Sequence, residues 1–192
     1  MLQLLPKMKT VVIAIAAGLF FVLLGKPLVG VLIMSMTVIF GLRILERQFT
    51  ERIVLNGQSN LRQSLLSVHV VDVAGSFLQQ FTGSFFACMF WMTQGNMSLI
   101  TPAHWITAAQ TGFGAATVLQ VILRVPKLSL LMRDRWRAFV VTSLVVSSVD
   151  RCIHPGHFGG PMTEALLTGA SAYGLNLATD VAYEFFIALF KI

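Results

Sequence analysis

The chain has 192 residues, 56% of them apolar, with 14 Lys and Arg against 8 Asp and Glu for a net charge of +6. Charged residues make up 11% of it, where a soluble domain carries about 25%, and none occurs from residue 73 to residue 123. This composition argues against a water-soluble enzyme, a secreted disulfide scaffold and a disordered regulator; it implies an all-α, polytopic membrane protein forming a single domain over residues 1–192.

In chain order, six apolar segments are expected at about 10–25, 27–44, 64–93, 102–123, 137–151 and 162–190. Lys7 and Lys9 ahead of the first give it the look of a secretory signal, but no small-residue cleavage site follows, so it reads as the first span. Gly25, Lys26 and Pro27 suit a tight hairpin to the second segment, and Gln94, Gly95 and Asn96 suit a turn after the third. Thr101 before Pro102 predicts an N-cap followed by proline in the first turn of a helix. The fifth segment is short, since its apolar part, Ala138 to Ser148, covers little more than half a bilayer at about 1.5 Å per residue.

Lys and Arg sort strongly by side if the segments alternate across a membrane. With the N-terminus inside, 12 of them fall in cytoplasmic segments, and only Lys26 and Arg151 fall outside. The expected arrangement is therefore six crossings of a bacterial inner membrane with both termini cytoplasmic. The alternative is four full spans, with the first two segments forming a re-entrant hairpin and the fifth lying at the interface.

Polar residues inside these segments repeat at helical spacing. His69, Asp72, Ser76 and Gln79 follow one stripe of the third segment, His104, Thr107, Gln110 and Thr111 one of the fourth, and Tyr173, Asn176, Asp180 and Glu184 one of the sixth. A charged side chain at the bilayer centre costs at least about 2.5 to 3.5 kcal/mol on insertion scales. The three stripes are therefore expected to face one another and to line a polar pathway through His69, Asp72, Ser76, Gln79, His104, Gln110, Asn176, Asp180 and Glu184. Small residues four apart, Ala108, Gly112 and Ala116, then Gly83 and Ala87, and Ala14 and Gly18, are the pattern that lets helix backbones approach.

Other motifs carry less chemistry. Cys152, His154 and His157, with Asp150, have metal-ligating side chains, but their spacing fits no strong site, and the surrounding prolines and glycines describe a rigid turn. No metal or other cofactor is expected. HFGG at 157–160 and GASAYG at 169–174 resemble fragments of rhomboid proteases, yet they stand in the reverse of that family's order, and no other nucleophile motif is present. Arg133, Arg135 and Arg137 around Trp136 suit anionic lipid headgroups at the cytoplasmic face. The mixed charges and amides of residues 46–63 suit a cytosolic partner, and the basic excess is assigned to topology rather than to nucleic acid.

The function expected is that of a small channel or transporter for an ion, a proton or a small polar solute, without enzymatic activity and forming a homo-oligomer. The alternative is a membrane subunit or sensor of a larger secretion, respiratory or defence complex.

Overall fold

The computed structural model describes residues 14, 16–56, 61–153 and 162–190. Among these, every regular element is helical: α1 (residues 16–23), α2 (Pro27–Asn56), α3 (Leu61–Met92), α4 (Pro102–Arg124), the single turn α5 (Pro126–Ser129), α6 (Arg135–Ile153) and α7 (Met162–Phe190). Lys7, Lys9, His154 and His157 lie outside the described residues, as does part of the 46–63 segment. Among the described residues, two helices, over Pro27–Glu51 and Pro102–Arg124, have the length and apolarity to cross a membrane.

Helix ends follow the sequence signals, while helix lengths exceed the apolar runs. α1 closes on Gly25, at φ +74°, where Lys26 N–H donates to Phe21 O at 3.0 Å and Gly25 N–H to Val22 O at 3.1 Å. This is the paired-bond helix terminus that a left-handed residue makes possible, and Pro27 then starts α2 with its φ already set. α3 ends the same way, with Gln94 and Gly95 both at positive φ and Gly95 N–H donating to Phe90 O at 2.9 Å. α2 runs 30 residues, past the expected end at residue 44, because Arg43, Glu46 and Arg47 end the apolar stretch but are good helix formers. α6 runs 19 residues, or about 28 Å, so the fifth segment is longer than its apolar centre.

The chain forms two compact units, residues 1–78 and 79–192, with the division inside α3. In the first, α1 and α2 pack through glycines: a Cβ on Gly18 would meet Met34 Cγ at 2.6 Å, and one on Gly30 would collide with the Gly18 carbonyl and with Val22. Ser35 and Thr37 turn their hydroxyls back onto the carbonyls of Val31 and Ile33, at 2.8 and 2.7 Å, which hides two polar groups inside an apolar helix.

The second unit consists of the last part of α3 with α4, α6 and α7. Partners along the chain show antiparallel neighbours: Thr111 on α4 meets Asp150 near the end of α6, Gly169 near the start of α7 packs on Ser143, and Tyr173 reaches Arg135 at the start of α6. Its centre is a layer of small side chains, one from each helix: Ala87, Ala115, Val146 and Ala172, all wholly buried. Ala108, Gly112 and Ala116 lie on the buried face of α4, and a Cβ on Gly112 would stand 3.1 Å from the Phe81 carbonyl. These small residues serve contacts within one chain.

Among the described residues, polar side chains share the interior with apolar ones, and many large apolar side chains lie on the surface. The buried side chains include Gln79, Gln80, Ser84, Thr107, Thr111, Gln120, Thr142, Ser143, Ser147, Asp150 and Thr168. The exposed ones include Phe90, Ile106, Phe113, Val121, Leu144, Val181, Phe185 and Leu189.

Candidate functional site

Among the described residues, the most deeply buried carboxyl group is that of Asp150, 1% exposed. α6 carries Ser143, Ser147 and Asp150 on one buried face, at spacings of four and three. The Thr111 hydroxyl on α4 donates to Asp150 Oδ1 at 2.8 Å, and the Cys88 thiol on α3 donates to the same oxygen at 3.8 Å. Taking a carboxylate wholly out of water costs several kcal/mol, and hydrogen bonds from fixed donors offset part of it. Three helices therefore meet on one acid. On the same face of α3, one turn before Cys88, Ser84 is fully buried. The hydroxyls of Ser84 and Ser143 have no hydrogen-bond partner.

A second polar layer joins α3 to α7 and α4. Gln79 Nε2 donates to Asp180 Oδ1 at 3.0 Å and to the Asn176 carbonyl at 2.9 Å, and Gln120 Nε2 donates to Gln80 Oε1 at 3.4 Å. Gly83 makes room for Asn176: a Cβ there would strike the Asn176 amide oxygen and stand 2.9 Å from the Ala172 carbonyl. Further out, the Trp91 indole donates to Ser171 Oγ at 3.0 Å.

The structure distributes the residues of the expected pathway unevenly. Gln79, Asn176 and Asp180 come together as described. His104 is used at a helix end, where its Nδ1 accepts from Thr101 N–H at 3.2 Å while Thr101 Oγ1 accepts from His104 N–H at 3.4 Å. Gln110 is exposed, as are Thr117 on the same helix and Glu184 on α7, whereas Thr107 and Thr111 are buried. His69, Asp72 and Ser76 belong to the first unit; His69 is exposed, Asp72 and Ser76 are half-buried, and Ser76 donates to its own helix at Val73 O, 3.3 Å away.

Arg133, Arg135, Trp136 and Arg137 are all exposed, Trp136 at 72%. Arg137 pairs with Asp134 at 3.2 Å. The Trp136 ring stacks on Phe139 with centroids 5.4 Å apart, and Phe139 meets Tyr173 edge-on at 5.6 Å. Tyr173, expected on the polar stripe, donates its hydroxyl to the Arg135 carbonyl at 3.1 Å, and so ties the start of α6 to α7.

Asp150 is the residue that sequence reasoning misplaced, because Arg151 and the Gly/Pro-rich run after it suggested a loop. Cys152, exposed at the end of α6, is not beside it. Among the described residues, no three His, Cys, Asp or Glu side chains come together to hold a metal ion. The signal that locates Asp150 is the spacing of Ser143, Ser147 and Asp150, the rule that picked out the other stripes. No protein family, no curated protein and no solved structure matches this chain.

Proposed function

We propose that this protein is a small multi-pass integral membrane channel or transporter that moves an ion, a proton or a small polar solute. In this reading it crosses a bacterial inner membrane six times, with both termini cytoplasmic, and assembles as a homo-oligomer. The observation that carries it is the buried Asp150, held by hydroxyl and thiol donors at the meeting of three helices whose outer faces bear large apolar side chains. An ionisable group in such a place costs stability, and in membrane proteins it marks a substrate or ion route by default. The distribution of Lys and Arg supports the six crossings, and the exposed Trp136 with its three arginines suits anionic headgroups at the cytoplasmic face.

Two measurements test this. Single cysteines placed beside Lys26 and Arg151 should react with an impermeant maleimide from the outer side of intact cells; labelling of both only from the cytoplasmic side overturns the six-crossing arrangement. Purified protein in sealed liposomes should conduct an ion or a proton, or take up a small polar solute, and the Asp150→Asn variant should not.

A second reading, a membrane subunit of a larger complex, is favoured by polar side chains on outward faces, notably Gln110, Thr117 and Glu184. Against lipid these groups are unfavourable, and against a partner helix they form hydrogen bonds. A stoichiometric partner retained through purification from native membranes would select this reading, and the 46–63 segment would then be the first place to seek a cytosolic contact.

A further inference from the structure

We infer that the groove between α4 and α6 binds one anionic phospholipid, with an acyl chain lying along the two helices and the phosphate beside Arg151. This rests on the six-crossing reading above and adds a ligand site to it. The groove has a volume of about 490 Å³; Gly114 and Val118 of α4 form its floor, and Leu144, Val145, Val149 and Ile153 of α6 form its wall. Gly114 keeps it open. A Cβ there would stand 2.7 Å from Val149 Cγ1 and 3.4 Å from Ile153 Cδ1, so a larger side chain would project into the space between the helices.

Three features fit a lipid. The first is length and direction. From Ile153, at the end of α6, to Leu144 is nine residues, or about 14 Å, and one leaflet contributes about 15 Å of hydrocarbon. The groove therefore starts at a helix end and stops near the bilayer midplane, as a lipid chain does. The second is polarity. Among the described residues that line it, only Ser148 and Cys152 carry a polar atom in the side chain, and none is charged. An ion or a sugar would lose its hydration there without replacement, whereas an acyl chain has none to lose. The third is charge at the mouth. Arg151 is exposed and stands three residues after Ser148 and seven after Leu144, on the same side of α6. The topology rule does not account for it, since Arg151 and Lys26 are the two Lys or Arg that fall on the outer side, against the bias. A lipid phosphate gives this guanidinium a bidentate partner at headgroup depth, and an anionic headgroup brings no cation of its own to oppose it. A helix from a second copy fits less well: about 10 Å across, a 14 Å length of it takes up about 1,100 Å³, more than twice the groove.

The test uses the full chain with a bimane on Cys152, whose thiol is exposed while that of Cys88 is buried, reconstituted in phosphatidylcholine vesicles. Phosphatidylglycerol or phosphatidylcholine carrying a nitroxide, near the head or near the end of one acyl chain, is added in small amounts and quenching is read. At equal amounts, the phosphatidylglycerol should occupy the site about fivefold more than the phosphatidylcholine, the worth of one basic residue beside an anionic headgroup. The nitroxide near the head should quench more, because Cys152 lies at the mouth. Arg151→Gln should bring the ratio to one, and Gly114→Leu should abolish the preference by filling the groove. A bimane on Phe185→Cys in a Cys152→Ser chain sits on an outward face of α7, reports bulk lipid and should show no preference. Equal quenching by the two lipids at Cys152 overturns the inference and leaves the six crossings in place. Absence of quenching at both positions overturns the membrane reading on which it rests. A preference that survives Arg151→Gln overturns the role of the arginine, and one that survives Gly114→Leu overturns the groove as the site. Oxidative joining of the Cys152 thiols of two copies, without lipid preference, assigns the groove to a dimer contact and overturns the lipid. The wild-type ratio and Arg151→Gln, a change at an exposed position, decide the matter even if Gly114→Leu fails to fold.

Discussion

Replacing Gly169 by alanine sets two opposing effects against each other at one position. In a helix interior, alanine is favoured over glycine by about 0.8 to 1.0 kcal/mol. The new methyl, however, would be placed against Ser143 Cα, C and O, which are backbone atoms of α6 and have no rotamer through which to move aside. Overpacking of a closed core costs about 1 to 3 kcal/mol, and the rigid neighbour puts this site at the upper end, so the net change is a loss of about 1 to 2 kcal/mol. For a chain of this size that lowers the thermal midpoint by about 2 to 8 °C. Gly174, five residues further along α7, is the internal control, because a Cβ there meets nothing within 4 Å. Gly174→Ala should therefore raise the midpoint by up to about 4 °C, through helix propensity alone. The assay is thermal unfolding in detergent followed by loss of the monodisperse gel-filtration peak. A Gly169→Ala variant as stable as Gly174→Ala would refute the close packing of α6 on α7.

Two further substitutions probe features at other sites. Thr101→Ala removes one half of the reciprocal cap at the start of α4 and should destabilise the protein by about 1 kcal/mol; the same unfolding assay checks it, and no change would show that His104 caps the helix alone. Gln79→Leu deletes the donor shared by the Asp180 carboxyl group and the Asn176 carbonyl and should cost about 1 to 3 kcal/mol, because it removes two half-buried hydrogen bonds, one of them to an ionisable group. Hydrogen exchange localised to the α3–α7 contact should report that loss, and unaltered protection there would refute the bond network.

Local features of this chain were legible in the residues because their causes are local. Gly25 ends α1 since the left-handed conformation costs glycine nothing, Gln94 with Gly95 ends α3 in the same conformation, Pro27 and Pro102 start helices, and Thr101 caps α4 by reaching only three residues ahead. Spacing of three and four placed Gln79 and Asp180 on stripes, and a bond from the Gln79 side chain to the Asp180 carboxyl group is formed. Ala108, Gly112 and Ala116 mark the buried face of α4 for the same reason.

What the residues alone could not decide was which way each stripe turns. His104, Thr107, Gln110 and Thr111 share a broad band on one helix, yet α4 buries the threonines and leaves Gln110 outside, because the face occupied by Ala108, Gly112, Ala115 and Ala116 allows the closest approach and fixes the rotation of the helix. Asp150 shows the same limit more sharply. Its neighbours in sequence are Arg151 and a loop-forming run, while its neighbours in space, Thr111 and Cys88, come from helices 39 and 62 residues away. Composition determined that large apolar side chains must lie on the outside, since so few charges cannot cover a surface; only the packing of α3, α4 and α6 determined that an acid is buried among them, because burial depends on contacts between residues distant in the chain.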